Sequence, residues 1–336
     1  MKALYLKEKD VFEMREVPVP VPCDHEVLIR VKSCGICGSD VHYWEYGKIG
    51  DFIVDEPLIL GHEFSGEVVE VGKDVQGLKA GDLVVVEPGE VCGRCEACKK
   101  GRYNLCPHME FYATPPYDGS FCEYVAFDAQ WVFKVPDGLN SELAALVEPM
   151  AVGTFSTMNA GVTLGERAII YGAGVIGLGC MIAAKAAGAV EVVMVDVRDD
   201  RLAFAKELGA DDVINAKVGS DKYDGYFDIA YECSGAVPSL IDAADKLKWG
   251  GRVAAIGINV ESTQEAPISS MIIREIKFLP TFRYAHAFEP ALQLIAKDPD
   301  TFAKMITDRF TFDETEKAFK TARDSNSAVK VMVNFY

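Results

Sequence analysis

The chain has 336 residues, which at about 100–200 residues per domain implies two domains. Hydrophobic residues make up 49% and charged residues 25%, a globular mix that excludes a disordered or collagen-like chain. Asp and Glu outnumber Lys and Arg by 51 to 34, a formal net charge of −17. No nucleic-acid or membrane partner is expected, since both need concentrated positive charge.

Met1 to Asp10 alternates charged with apolar residues and lacks the apolar core of an export signal. A reducing, cytoplasmic setting is therefore expected, in which cysteines are ligands, buried thiols or catalytic groups rather than disulfides. Of the ten cysteines, seven lie before residue 110, so metal chemistry is expected in the first part of the chain. Residues 27–32 alternate as a half-buried strand, and 67–72 and 82–87 are short apolar runs closed by Gly or Pro. The first third thus reads as β. From about Glu166 the rhythm changes. Strand runs at 167–171, 191–196, 228–232 and 252–256 alternate with helical stretches, including 199–208, as in a doubly wound parallel sheet. The most apolar run, 168–189, holds Gly172, Gly174, Gly177, Gly179 and Lys185, and reads as strand, turn and helix rather than a membrane span. The tail predicts helices near 290–296 and 313–322 and a last strand at 329–333 that could return to the first domain.

Gly172-Ala-Gly174-Val175-Ile176-Gly177 is a G-x-G-x-x-G set between a predicted strand and a helix. Gly172 permits the tight turn, Gly174 lets the backbone approach a pyrophosphate, and Gly177 lets helix and strand pack closely. Asp196 follows 19 residues after Gly177, at the end of the next strand. Its carboxylate can accept both ribose hydroxyls of NAD and would repel the 2′-phosphate of NADP, although Arg198 and Arg201 stand nearby. A Gly-rich turn without a ligand is the competing reading.

Cys92, Cys95, Cys98 and Cys106 form C-x2-C-x2-C-x7-C. Four thiolates on short loops favour a closed tetrahedral structural zinc, with an iron–sulfur centre as the alternative. A second C-x2-C, Cys34 and Cys37, and the triplet Gly61-His62-Glu63 offer a thiolate, an imidazole and a carboxylate. Glu148 precedes Pro149 where the β region gives way to the nucleotide fold. Catalytic zinc takes three protein ligands and keeps one exchangeable position, and Cys37 with His62 is a plausible pair. By spacing alone these residues could equally be an ordinary polar loop.

Together these motifs resemble the zinc-containing medium-chain dehydrogenases, and within them the polyol branch of sorbitol (L-iditol) and xylitol dehydrogenases. The resemblance covers essentially the whole chain. Gly61-His-Glu and Val147-Glu-Pro mark the superfamily. Val41-His-Tyr-Trp-Glu-Tyr, Ala113-Thr-Pro-Pro and Phe282-Arg-Tyr match the polyol pattern. The resemblance implies an α/β fold: a GroES-like β-rich catalytic domain (1–151, with a zinc lobe at about 88–108), a Rossmann doubly wound domain (152–283), and a C-terminal segment (284–336) returning to the first. It implies one catalytic and one structural zinc per chain. Cys37, His62 and Glu63 would hold the first, with Glu148 as a direct ligand or as the holder of the metal's water; Cys92, Cys95, Cys98 and Cys106 would hold the second. Some polyol dehydrogenases lack the four-cysteine lobe, which this chain keeps.

Asp40 would orient His62, as a ligating imidazole needs a hydrogen-bond acceptor. Ser39 and His42 match positions that pass the substrate proton to solvent. Tyr43, Glu148, Arg283 and Tyr284 match polyol-contacting positions. Ile176, Asp196, Arg201, Ile256, Gly257, Ile258, Thr281, Phe282 and Arg283 match NAD contacts, beside Gly172, Gly174, Val175 and Gly177 of the turn. The implied activity is reversible NAD-dependent oxidation of a secondary hydroxyl of a sugar alcohol to the ketose, by a homotetramer. A threonine or butanediol dehydrogenase is the alternative within the superfamily. A non-catalytic zinc protein and a zinc-free quinone-reductase-like protein are the alternatives outside it.

Overall fold

A computed structural model describes residues 1–219, 223–258 and 265–335. The chain divides into two compact units, Met1–Glu148 with the chain from Ile295 onward, and Pro149–Leu294.

The first unit is built on the strand Glu26–Gly35, whose apolar residues Val27, Ile29 and Val31 are fully buried. It pairs antiparallel with Glu63–Val71, Tyr124–Asp128 and Lys330–Asn334 in a seven-stranded sheet. Register places Gly35 opposite Glu63 and Cys34 opposite Val333. The end of the central strand therefore meets both the His62-Glu63 pair and the last strand of the chain. Ile36 N–H donates to the Val331 carbonyl at 3.0 Å, extending that seam toward Cys37. Phe64, Phe121, Phe127 and Phe319 fill the core behind it. Residues 38–46, which the sequence reading treats only as a source of donors, form the helix Gly38–Tyr46 with Cys37 as its N-cap. Asp40 in the first turn makes a capping box with the Cys37 backbone and is fully buried.

The second unit holds a six-stranded parallel sheet. In spatial order the strands are Asp212–Asn215, Glu191–Asp196, Arg167–Tyr171, Phe227–Glu232, Leu247–Ala255 and Lys277–Pro280. Numbered along the chain this is 3-2-1-4-5-6, the doubly wound dinucleotide order, with the switch point between Arg167–Tyr171 and Phe227–Glu232. Parallel strands covered on both faces need continuous apolar runs; Ala168, Ile169 and Ile170 and Val192, Val193 and Met194 are all fully buried. The unit extends past residue 283, where the sequence analysis ends the nucleotide fold. The helix Phe288–Lys297 runs across that region unbroken, and the first unit resumes only at Ile295. Arg283 and Tyr284 therefore belong to the second unit. No described helix is long and apolar enough to cross a membrane.

Candidate functional site

In the first unit the Cys37 thiol, a His62 nitrogen and a Glu63 carboxylate oxygen lie within 4.8 Å of one another. His62 is 6% exposed and Glu63 1%. Cys37 arrives at the N-terminus of the helix Gly38–Tyr46, and His62-Glu63 where the strand Glu63–Val71 begins. Asp40 ties the two approaches together. Its Oδ2 accepts the Cys37 N–H at 3.0 Å, and its Oδ1 accepts the Gly61 N–H at 3.0 Å and stands 3.5 Å from His62 Nδ1. With Nδ1 turned to Asp40, His62 Nε2 is the nitrogen left for a metal. Burial opposes protonation of His62, but the Asp40 carboxylate and the Cys37 thiolate outweigh it and hold the imidazole pKa well above its usual value. A cation is what this pocket of negative groups favours, and a thiolate, imidazole and carboxylate suit zinc.

Cys34, the other half of the C-x2-C, does not join this group. It is fully buried in the strand Glu26–Gly35, with its thiol 3.3 Å from the Ser120 hydroxyl. Glu148 is 4% exposed and stands outside the group of close donors, while Glu63 stands inside it.

Lys330, in the last strand, has no counterpart in the sequence reading. Its Nζ meets Glu63 Oε1 at 2.7 Å and Oε2 at 2.6 Å, and donates to the Ile36 carbonyl at 3.0 Å. Both side chains are 2% exposed. Burial works against the ammonium, but Glu63, Cys37 and Glu148 together keep its pKa raised. Gly35 makes the arrangement possible, because a Cβ there would lie 2.2 Å from Glu63 Oε2. The available signal was a lysine inside the apolar strand run Val329-Lys-Val-Met-Val.

Ser39, His42 and Tyr43 share the helix Gly38–Tyr46. Ser39 and His42 are half-buried and Tyr43 is buried. Trp44 packs between Phe12, Phe319 and the Arg323 guanidinium as part of the core.

The four remaining donors form a second group. The sulfurs of Cys92, Cys95, Cys98 and Cys106 lie within 4.8 Å of one another. Cys95–Cys98, Cys92–Cys106 and Cys95–Cys106 are 3.4, 3.6 and 3.8 Å apart. A tetrahedral zinc with bonds of about 2.3 Å needs sulfurs about 3.8 Å apart, so this cage fits the ion. The N–H groups of Arg94 and Cys95 pull the Cys92 thiol down to about 6, whereas burial and the neighbouring thiols push Cys98 up to about 12. Four sulfurs this close shed all their protons only around a cation. Glu87 is 3% exposed. Burial pushes it up to about 7 against a hydrogen bond from Tyr103, which sits between Cys98 and Cys106 in the chain, and Glu148 adds to the rise.

In the second unit Gly172 has φ +96° and Gly174 is the N-cap of the helix Val175–Ala186. A Cβ on Gly177 would lie 1.8 Å from the Gly172 carbonyl oxygen, so the tight packing of turn on helix requires glycine there. Asp196 Oδ2 accepts the Ala173 N–H at 2.8 Å and Oδ1 the Arg198 N–H at 3.1 Å, which fixes the carboxylate beside the turn. The Arg198 guanidinium is paired with Asp200, and Arg201 Nη1 lies 3.4 Å from where a Gly174 Cβ would be. Thr281 Oγ1 is buried and without a hydrogen-bond partner among the described residues, as a group awaiting a ligand would be. Arg283 has φ +55°, and Tyr284 is buried against the Phe288 ring. Ile258 and Phe282 are exposed and Ile256 is half-buried. The turn, the fixed carboxylate and this orphan hydroxyl fit a dinucleotide.

Comparison with known proteins agrees with both units. Residues 23–137 match the model of the alcohol dehydrogenase GroES-like domain, and 175–297 that of the zinc-binding dehydrogenases. The sorbitol dehydrogenase of Bacillus subtilis is 38% identical over 99% of this chain and 97% of its own length. That of Homo sapiens is 40% identical over 95% and 92%. A zinc-binding dehydrogenase structure from Sinorhizobium meliloti, bound to NADP, superposes with a TM-score of 0.91 at 30% identity, covering 99% of this chain and 98% of that one. The chain thus belongs to the zinc-containing medium-chain dehydrogenases, enzymes of zinc and a nicotinamide cofactor.

Proposed function

We propose that this chain oxidises a secondary hydroxyl of a sugar alcohol, of the sorbitol or xylitol type, to the ketose with NAD. The observation that carries the reading is the contrast between its donor groups: Cys37, His62 and Glu63 offer three ligands, the four-cysteine cage four. A three-ligand site leaves a position for substrate, and a four-ligand site does not. When bound, zinc supplies a Lewis acid that acidifies the substrate hydroxyl, and NAD supplies the hydride acceptor.

The chain's own residues do the rest. Asp40 holds the His62 ring by its Nδ1 edge. Lys330 fixes both oxygens of Glu63. The Ser39 hydroxyl and the His42 imidazole, on the same helix, carry the proton from the substrate hydroxyl to solvent. Glu148 stands by as the buried carboxylate that holds the substrate-side position. Asp196, already fixed by two N–H groups, takes the ribose hydroxyls and disfavours a 2′-phosphate. Tyr43, Glu148, Arg283 and Tyr284 are assigned to the remaining hydroxyls of the substrate. Simple alcohols would leave those polar groups unpaired and be rejected.

The physiological unit is proposed to be a homotetramer. Trp249, Ile272, Ile273 and Phe278, in the last two strands of the parallel sheet and the helix between them, expose 73, 70, 68 and 48% of their surface, apolar area that a second copy would cover. Light scattering that gave a monomer at micromolar concentration would remove this assignment.

The deciding assay is NADH formation from NAD with sorbitol and xylitol against 2-propanol and threonine, with and without a chelator. Chelator-sensitive turnover of the polyols alone is expected. Turnover of 2-propanol or threonine instead would move the substrate to the alternative branch, and equal turnover with NADP would overturn the role of Asp196.

A further inference from the structure

Three strands of the parallel sheet end side by side. Tyr171, Glu232 and Ala255 stand in register across Arg167–Tyr171, Phe227–Glu232 and Leu247–Ala255. With the pyrophosphate on the turn after the first of these, and the adenosine ribose at Asp196 one strand to the outside, the dinucleotide must continue over the other two. The nicotinamide end therefore lies against the segments that follow Glu232 and Ala255.

One residue holds both segments, the first by its carboxylate and the second by its main-chain carbonyl. Glu232 is 4% exposed. Its Oε1 accepts the Ser234 N–H at 2.8 Å and the Gly235 N–H at 3.1 Å, and also the Ser234 hydroxyl. Its Oε2 accepts the Gly235 N–H at 3.1 Å. Its main-chain carbonyl accepts the Ile256 and Gly257 N–H groups at 2.8 and 2.9 Å. A Cβ on Gly257 would lie 2.7 Å from Glu232 Oε2 and 2.2 Å from the Gly235 nitrogen, so glycine is the condition for wedging the carboxylate between the two segments. The pyrophosphate turn leans on the same place, because a Cβ on Gly172 would lie 3.2 Å from the Ser234 nitrogen. No Lys, Arg or His ion-pairs with Glu232 among the described residues. A buried carboxylate held only by N–H and O–H donors is costly unless those donors are oriented for it, and in return it fixes their orientation.

We propose that Glu232 is the positioning residue for the nicotinamide half of the cofactor, an inference that rests on the NAD reading above. Its carboxylate orders the loop after its own strand and packs that loop against Gly257 of the loop after Leu247–Ala255, without touching the reacting atoms. Ser234, which shares its carboxylate, is the smaller partner in the same device.

The test separates the two halves of the cofactor. NADH and ADP-ribose affinities are measured by fluorescence and calorimetry on the zinc-loaded wild type and on Glu232→Gln and Ser234→Ala. Gln keeps the shape but turns an amide NH2 toward N–H donors. In Glu232→Gln, NADH is expected to bind about tenfold more weakly, and ADP-ribose, which lacks the nicotinamide, within about twofold of wild type. Ser234→Ala should lose about threefold for NADH alone, and it carries the test if the first variant does not fold. Equal loss for both ligands would reduce Glu232 to a general structural role, and no loss for either would overturn the proposal. A wild type that binds neither ligand would defeat the cofactor reading itself.

Discussion

Cys92, Cys95, Cys98 and Cys106 come from one short stretch of chain, each of them half-exposed except Cys106. Cys37, His62 and Glu63 come instead from a helix cap and a strand start, and Glu63 is braced by a lysine near the end of the chain. The first group needs only local loop closure, which costs little conformational entropy, so its geometry survives exposure to water. The second needs the sheet: register alone brings Gly35, Glu63 and the last strand together. What the second group gains is burial, where charges act more strongly and a three-ligand set can keep one face for substrate. A closed cage near the surface suits a structural metal, and an open, buried set suits a metal that must also take a substrate.

The comparison can be broken most directly at Cys37. Cys37→Ala should lower turnover by about a thousandfold or more while NADH binding and the four-cysteine zinc persist. Steady-state rates with metal analysis check this, and a variant with full activity would remove the metal assignment. Lys330→Met should come next. It strands the Glu63 carboxylate at 1% exposure without its cation, an expected loss of about 3–5 kcal/mol in the zinc-free protein. Added zinc should recover part of it by taking over Glu63. Denaturant unfolding with and without zinc reads both numbers, and a variant as stable as wild type would show that the pair is dispensable.

Cys98→Ser should have a smaller global effect. The lobe loses its metal and becomes protease-sensitive, Tm falls by about 5 °C or less, and the catalytic metal stays. Loss of both metals together would show that the two groups are not independent.

Glu87→Gln should be smallest and pH-dependent. Glu87 is raised from 4.5 to about 7 in the folded protein, so between those pH values the folded state holds a proton that the unfolded state has released. Its contribution is present at low pH and lost as pH rises through about 7. The variant should match wild type near pH 5 and exceed its stability by on the order of 1–2 kcal/mol at pH 8. Unfolding curves at both pH values check the sign.

Much of this is legible in the sequence. The Gly172–Gly177 turn, Asp196 at the end of the following strand and the four cysteines are spacing motifs, and spacing is a property of the chain. The strand runs of the second unit were legible for the same reason, since a parallel sheet covered on both faces demands continuous apolar segments. Donor type made Cys37 and His62 a plausible pair, but only the resemblance made the case for them with Glu63, because 24 residues of chain separate Cys37 from His62.

The sequence by itself determined the local chemistry: a dinucleotide turn with its carboxylate, and a cysteine cage whose loops are too short to do otherwise. Tertiary structure alone decided that Cys34 is a core thiol, and that Glu63 stands in the close group and Glu148 outside it. It also decided that Lys330 braces Glu63, that Glu232 bonds to the segments after two neighbouring strands, and that Tyr284 stays with the nucleotide unit. The physical reason is sequence distance. A contact closed within a few residues is written in their spacing, whereas one closed by strand register depends on every residue that sets that register.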